Sequence, residues 1–171
     1  RLHYVDWGNA ACPDVLMVHG WYGNAHYWDL VAPSFRDRFH VVALTLRGRG
    51  KSDEDPTGEY PFECYMADIW EATQQLGLQH MIFVGASLGG MIALPYIVQH
   101  QEQVEKLVLG DIGARLGGDQ PNSYHQAMMD APDYFDSLQE VEAWLRQWSL
   151  YVKIPSQGMA IILREHFWET S

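Results

Sequence analysis

Ser87 stands between Gly85 and Gly89 in the segment VGASLGGM, directly after the apolar run MIFVG and before a second apolar run. Glycines two positions either side of a serine suit a sharp strand-to-helix turn, because a side chain at either one would collide with neighbouring backbone. The turn projects the hydroxyl from the carboxyl edge of a sheet, and the following helix aims its first amides at the same place, favouring developing negative charge. The chemistry implied is nucleophilic attack on a carbonyl. A GxSxG pentapeptide also arises by chance in a chain with 15 glycines. The strand before it and the helix after it separate an elbow from a coincidence.

A second signal is MVHGWYG (17–23), where a His-Gly step after an apolar strand puts flexible backbone where amides can converge on an oxyanion. The donors would be the backbone N–H groups of Trp21 and of Leu88, the residue after the serine. His19 is expected to shape the loop rather than act as base, and the Trp21 indole either walls an acyl pocket or simply packs. A serine hydroxyl also needs a base within hydrogen-bond reach. His100 ends the helix behind Ser87, roughly 20 Å away at ~1.5 Å per residue, and is too far. His125 and His166 are read as surface or packing residues. Asp111 closes the strand VEKLVLGD at the same sheet edge as Ser87 and is the candidate acid. Asp68 and Asp130 read as solvated helix charges, and Arg47 and Arg49 as loop braces in preference to an anion site.

These residues need elements to hold them. LHYV (2–5), VLMVHG (15–20), FHVVALTL (39–46), MIFVG (81–85) and VEKLVLGD (104–111) read as strands. AHYWDLVAPSF, with Trp28, Val31 and Phe35 at helical spacing, reads as a helix. So does FECYMADIWEATQQLG, with Met66, Ile69, Thr73 and Leu76 on one face and Gly77 as its stop. LGGMIALPYIVQH is a third, kinked by Pro95. RGRGKSDEDPTGEY (47–60) is a loop. Continuous apolar strands separated by helices imply an α/β architecture, a mostly parallel sheet covered on both faces. After residue 112 the texture becomes helical. A short helix is expected around 123–130, and another opens at SLQE, where Ser137 and Glu140 form a capping-box pattern ahead of Leu138, Val141, Trp144, Leu145 and Trp148. After the break KIPSQG, MAIILREHFWE reads as a further helix.

Composition bounds the function. The chain has 171 residues, 47% of them hydrophobic, enough for a substantial core. The 22 acidic against 11 basic residues, a formal charge of −11, argue against nucleic acid as a partner. Cys12 and Cys64 lack metal-ligand spacing and read as ordinary buried thiols, so no metal site is expected. No run of 18 apolar residues and no signal-peptide pattern occur, so a cytoplasmic protein without membrane association is expected.

Together LHYVDWG, LMVHGWYGNAHYW, VVALTLRGRGKSD, FVGASLGGMIAL and VEKLVLGDIG resemble, in order and spacing, the N-terminal half of an α/β-hydrolase fold enzyme. The resemblance covers residues 1 to about 113 as hydrolase core, with 114–171 resembling the beginning of the helical lid. It implies a Ser-His-Asp/Glu triad, a serine hydrolase acting through an acyl-enzyme on a small-molecule carboxylic ester, and no cofactor. Lactone, thioester or carbon–carbon bond cleavage is open on the same machinery. Haloalkane dehalogenases and epoxide hydrolases of this fold carry aspartate where Ser87 stands. The family's acid and histidine follow its seventh and eighth strands, so the base is expected beyond residue 171. The alternatives are a non-catalytic, receptor-like or inactive chain, or a cofactor-free oxygenase or haloperoxidase. For an isolated chain, an uncovered sheet edge and half a lid lead one to expect poor solubility or a homodimer. The family's usual aspartate is replaced by Thr45, which leaves open what braces the Arg47 loop.

Overall fold

The computed structural model describes residues 1–112 and 136–147. The chain divides into two compact units, Arg1–Ile112 and Gly113–Ser171. In the first, strands β1 (Tyr4–Asp6), β2 (Asp14–Val18), β3 (His40–Leu44), β4 (Met81–Ala86) and β5 (Val104–Gly110) form one sheet in the order β1-β3-β2-β4-β5. β1 runs antiparallel to β3, while β2, β3, β4 and β5 pair in parallel. Two helices cross between parallel strands: α1 (Phe62–Leu76) and α2 (Leu88–Gln99).

The continuous apolar runs follow from burial on both faces. Leu16, Val18, Val42 and Leu44 turn to a core shared with Met66 and Ile69 of α1 and Ile92 and Tyr96 of α2. Their neighbours Val15, Met17, Val41 and Ala43 turn to the other face, against Ala25, Trp28 and Ala32. A strand whose alternate residues enter two different cores has no polar face to show.

α1 buries the expected Met66, Ile69 and Thr73 together with Tyr65, and Gly77 ends it in the left-handed conformation at φ 69°. α2 runs through Pro95 to Gln99. AHYWDLVAPSF departs from expectation: it forms two 3₁₀ turns, Ala25–Trp28 and Ala32–Ser34, instead of one α-helix. Pro33 contributes no N–H and disfavours helical backbone at Ala32. Trp28 and Ala32 are buried while Val31 points outward, so helical spacing is not what packs the segment. β1 also starts two residues later than LHYV, although His3 still accepts the Thr45 amide at 2.8 Å.

In the second unit, α3 (Leu138–Leu145) starts where the capping pattern places it. Ser137 Oγ accepts the Glu140 amide at 3.2 Å, and the Glu140 carboxylate accepts the Asp136 amide at 3.1 Å. The reciprocal bond thus reaches one residue further out than the usual box. The helices expected around 123–130 and over MAIILREHFWE lie outside the described residues. Among the described residues no helix is long and apolar enough to cross a membrane. Cys12 and Cys64 are free thiols, both partly exposed rather than buried.

Candidate active site

Ser87 follows the last residue of β4 and precedes the first of α2, with φ 47° and ψ −113°. A side chain at positive φ is held there only when its surroundings over-determine it, and here three backbone bonds do so. Ser87 N–H donates to the Gly110 carbonyl at the end of β5 at 2.8 Å, and Gly89 N–H to the His19 carbonyl just past β2 at 3.1 Å. The first helical bond, Met91 N–H to Ser87 O, closes at 2.9 Å. The elbow at the end of β4 is therefore tied to both flanking strands, β2 and β5.

The two glycines are needed for approach. A Cβ on Gly85 would lie 2.6 Å from the Gly89 carbonyl oxygen, and one on Gly89 would lie 2.8 Å from the His19 carbonyl oxygen. These atoms are backbone locked in sheet and helix, so neither contact can relax by a rotamer change. The collision expected from the motif is thus located.

Strand register decides what stands beside the serine. Val18 pairs with Gly85 and Ala86 with Gly110, so Gly20 and Asp111 come next to Ser87 from opposite sides. Gly20 is near enough that a Cβ there would lie 3.2 Å from Ser87 Cβ. Asp111 sits at the expected edge, exposed and at φ 56°. Among the described residues no side chain is hydrogen-bonded to Ser87 Oγ. Leu88, the first helical residue, has no intrahelical acceptor for its N–H, while Gly89 has already spent its own on His19.

His19 is fully buried. Its Nε2 lies 3.0 Å from the Leu46 N–H, and its Nδ1 lies 2.6 Å from the Gly20 carbonyl oxygen. An amide only donates and a carbonyl only accepts, so Nδ1 carries the proton and Nε2 the lone pair. Both nitrogens are committed to the loop, which removes His19 as a base. The Gly20 carbonyl belongs to the same peptide unit as the Trp21 N–H, so the imidazole sets the plane in which that N–H points. Gly20 O also accepts the Gly23 amide at 3.1 Å, closing the turn. Trp21 itself is 51% exposed.

His100 caps the far end of α2, stacked on Trp70 at 4.3 Å. His125, His166 and Asp130 lie outside the described residues.

The loop after β3 is braced by ion pairs. Arg47 donates from Nε and Nη2 to the two oxygens of Asp68 at 2.6 Å each, and from Nη1 to Asp55 at 2.6 Å. Asp68 is thus the brace for Arg47, not the solvated helix charge expected from its place on α1. Hydrogen bonding to Asp68 raises Arg47 above the usual arginine range, so it is always charged. Asp55 is held below the usual carboxylate range by the Thr57 hydroxyl and amide and then by Arg47. Arg47 is a loop brace whose charge is matched by two carboxylates, which leaves no excess positive charge to attract an anion. Thr45 takes over where the family carries aspartate. Its buried hydroxyl accepts the Ala25 N–H at 2.9 Å and lies 2.9 Å from His3 Nδ1, and its carbonyl accepts Ser52 Oγ–H at 2.7 Å. A neutral hydroxyl joins these groups without burying a charge. Sequence reading could not find the Arg47–Asp68 clamp, because its partners are 21 positions apart and show no local pattern.

Parallel strands bearing a serine at positive φ on a glycine-bounded turn, with helix amides behind it and the Gly20–Gly23 turn beside it, define the hydrolase-type α/β class. The alpha/beta hydrolase fold profile matches residues 13–149, and the chain belongs to that family. It is 36% identical over 110 residues to epoxide hydrolase 4 of Mus musculus, covering 64% of this chain and 31% of that protein. With the 3-hydroxybutyrate-oligomer hydrolase of Cupriavidus necator it shares 29% identity over 151 residues, covering 85% of this chain and 50% of the relative. Among solved structures, E-2-(acetamidomethylene)succinate hydrolase superimposes with a TM-score of 0.83 at 25% identity, covering 96% of this chain and 59% of that one. The chain spans about a third of the length of the first curated relatives it matches.

Proposed function

We propose that this chain carries the nucleophile half of a serine hydrolase acting on carboxylic esters. Ser87 Oγ attacks the carbonyl carbon, the amides of Leu88 and Trp21 receive the oxyanion, the alcohol departs with a proton, and water cleaves the acyl-serine. The observation that carries this is Ser87 at φ 47°, held by bonds to the ends of β2 and β5. Asp111 stands where an acid can orient an imidazole, and the reading assigns the base to a histidine outside the described residues. The substrate is a small molecule, and the chemistry needs no cofactor.

Epoxide opening is the second reading, favoured by the name of the mouse relative. The chemistry of Ser87 separates the two. A serine oxygen adding to an epoxide carbon leaves an alkyl ether, which water does not cleave, whereas an acyl-serine turns over.

The test uses the full-length protein with 4-nitrophenyl acetate, styrene oxide and a fluorophosphonate probe, alongside Ser87→Ala. Ester turnover and labelling that both vanish in Ser87→Ala are expected, with no turnover of the epoxide. Ester hydrolysis undiminished in Ser87→Ala would sink the assignment.

A further inference from the structure

Arg49 is built into the site differently from Arg47. Where Arg47 is neutralised by two carboxylates, Arg49 has no carboxylate partner among the described residues. Its Nε donates to the Trp21 carbonyl at 2.7 Å and its Nη1 to the Gly48 carbonyl at 2.8 Å. The guanidinium carbon lies 5.5 Å from the centre of the Trp21 ring and 5.7 Å from that of Tyr60. Tyr60 is itself anchored. It fills the space a side chain on Gly48 would need and stacks on the buried Tyr65 with centroids 6.3 Å apart and planes at 17°. A rigid line of contacts thus leads from the core through Tyr65, Tyr60 and Arg49 to the exposed residue Trp21.

What this line reaches matters. The peptide before Trp21 is held by His19 at the Gly20 carbonyl, and the peptide after it by Arg49 at the Trp21 carbonyl. The Trp21 N–H lies in the first of these peptide planes, which is held by His19 at the Gly20 oxygen and can still turn about that bond; holding the second plane across the Trp21 Cα restrains that turning. Without Arg49 only the first plane is held, in a loop with exposed aromatic side chains and glycine at both ends. Arginine suits the task because its planar fork serves two carbonyls while its face stacks on aromatic rings, neither of which an ammonium reproduces.

We propose that Arg49 is a positioning residue that aims the Trp21 amide at the oxyanion, by clamping the Trp21 carbonyl to Gly48 while its guanidinium lies over the Trp21 and Tyr60 rings. This rests on the reading of Trp21 N–H as an oxyanion donor. Arg49 touches neither substrate nor Ser87 in this role. Removing an oxyanion donor outright costs about 10²–10³ in kcat, so a donor left in place but loosely aimed should cost roughly ten-fold.

The experiment compares Arg49→Met and Arg49→Lys with the parent and with Ser87→Ala, all in the full-length protein. With 4-nitrophenyl acetate, Arg49→Met is expected to lose about ten-fold in kcat with KM changed less than about two-fold. Fluorophosphonate labelling should slow by a similar factor, and added methylguanidinium should restore part of both rates. Arg49→Lys, which retains the charge but not the planar fork, should fall between. A second measurement needs no catalysis: backbone ¹⁵N order parameters at Trp21 and Tyr22 should drop in Arg49→Met. Unchanged kcat, or a rise in KM alone, which would place the guanidinium on substrate, overturns the proposal. If Ser87→Ala retained full activity, the serine reading would fall instead, and the order parameters would still decide the clamp: no drop refutes it.

Discussion

Replacing Ser87 by glycine should make the protein more stable than replacing it by alanine, although glycine is ordinarily the poorer residue. Both variants lose the hydroxyl, so the comparison isolates the Cβ. At φ 47° and ψ −113° that Cβ is strained, and such conformations cost about 1–3 kcal/mol in residues other than glycine. Glycine relieves the strain but gives up about 0.5–1 kcal/mol of unfolded-state entropy relative to alanine. The net expectation favours Ser87→Gly over Ser87→Ala by about 1 kcal/mol, or roughly 2–4 °C in Tm for a domain of 150–250 residues. Thermal unfolding of the two variants, with urea titration as a second measure, reads the difference directly. Should Ser87→Gly prove less stable than Ser87→Ala by the entropic margin, the serine backbone stores no strain. The case for its being held in place for chemistry would then lose its physical basis.

Gly85→Ala and Gly89→Ala should each cost about 3 kcal/mol, the upper end of overpacking, because the new methyl meets fixed backbone. Gly90→Ala should cost well under that, since its nearest contact is at 3.1 Å and Ile112 side-chain atoms can yield; equal losses in a denaturant series would contradict the geometry. Asp68→Ala leaves the partly buried Arg47 without its bidentate partner and should destabilise by about 2 kcal/mol. Asp68→Asn, which still accepts one bond, should lose less; the two values from urea melts decide. His40 is flanked by Asp14 at 2.7 Å from Nδ1 and Asp6 at 3.3 Å from Nε2. Burial opposes its charge, but the hydrogen bond to Asp14 and the neighbouring Asp6 carboxylate prevail and hold its pKa above the ordinary histidine value. A raised folded pKa means that the stabilisation is complete below the unfolded value near 6.5 and is lost as pH rises through the folded one. Tm should therefore decline from neutral into mildly alkaline pH, and His40→Gln should remove that part of the slope; a Tm profile unaltered by the substitution would count against it.

Much of this was legible in the chain. Ser87 between Gly85 and Gly89, the apolar runs on either side, and Gly77 closing α1 are local patterns, and local patterns report backbone geometry directly. So does the pair Ser137 and Glu140. Family membership followed from five such patterns in order. AHYWDLVAPSF failed for an equally local reason that its apolar spacing masked: Pro33 outweighs the stripe of Trp28, Val31 and Phe35.

What the chain alone settled, then, was the parallel α/β framework and the elbow, because strand, turn and cap preferences act between near neighbours. The tertiary structure decided the rest. It committed both nitrogens of His19 to the loop, gave Arg47 to Asp68 and Asp55, joined the Thr45 hydroxyl to Ala25 and His3, and ran Arg49 across to Trp21. Each joins groups whose separation in sequence carries no signal. They meet only because parallel strands bring their carboxyl ends, and the loops that leave them, to one edge of the sheet.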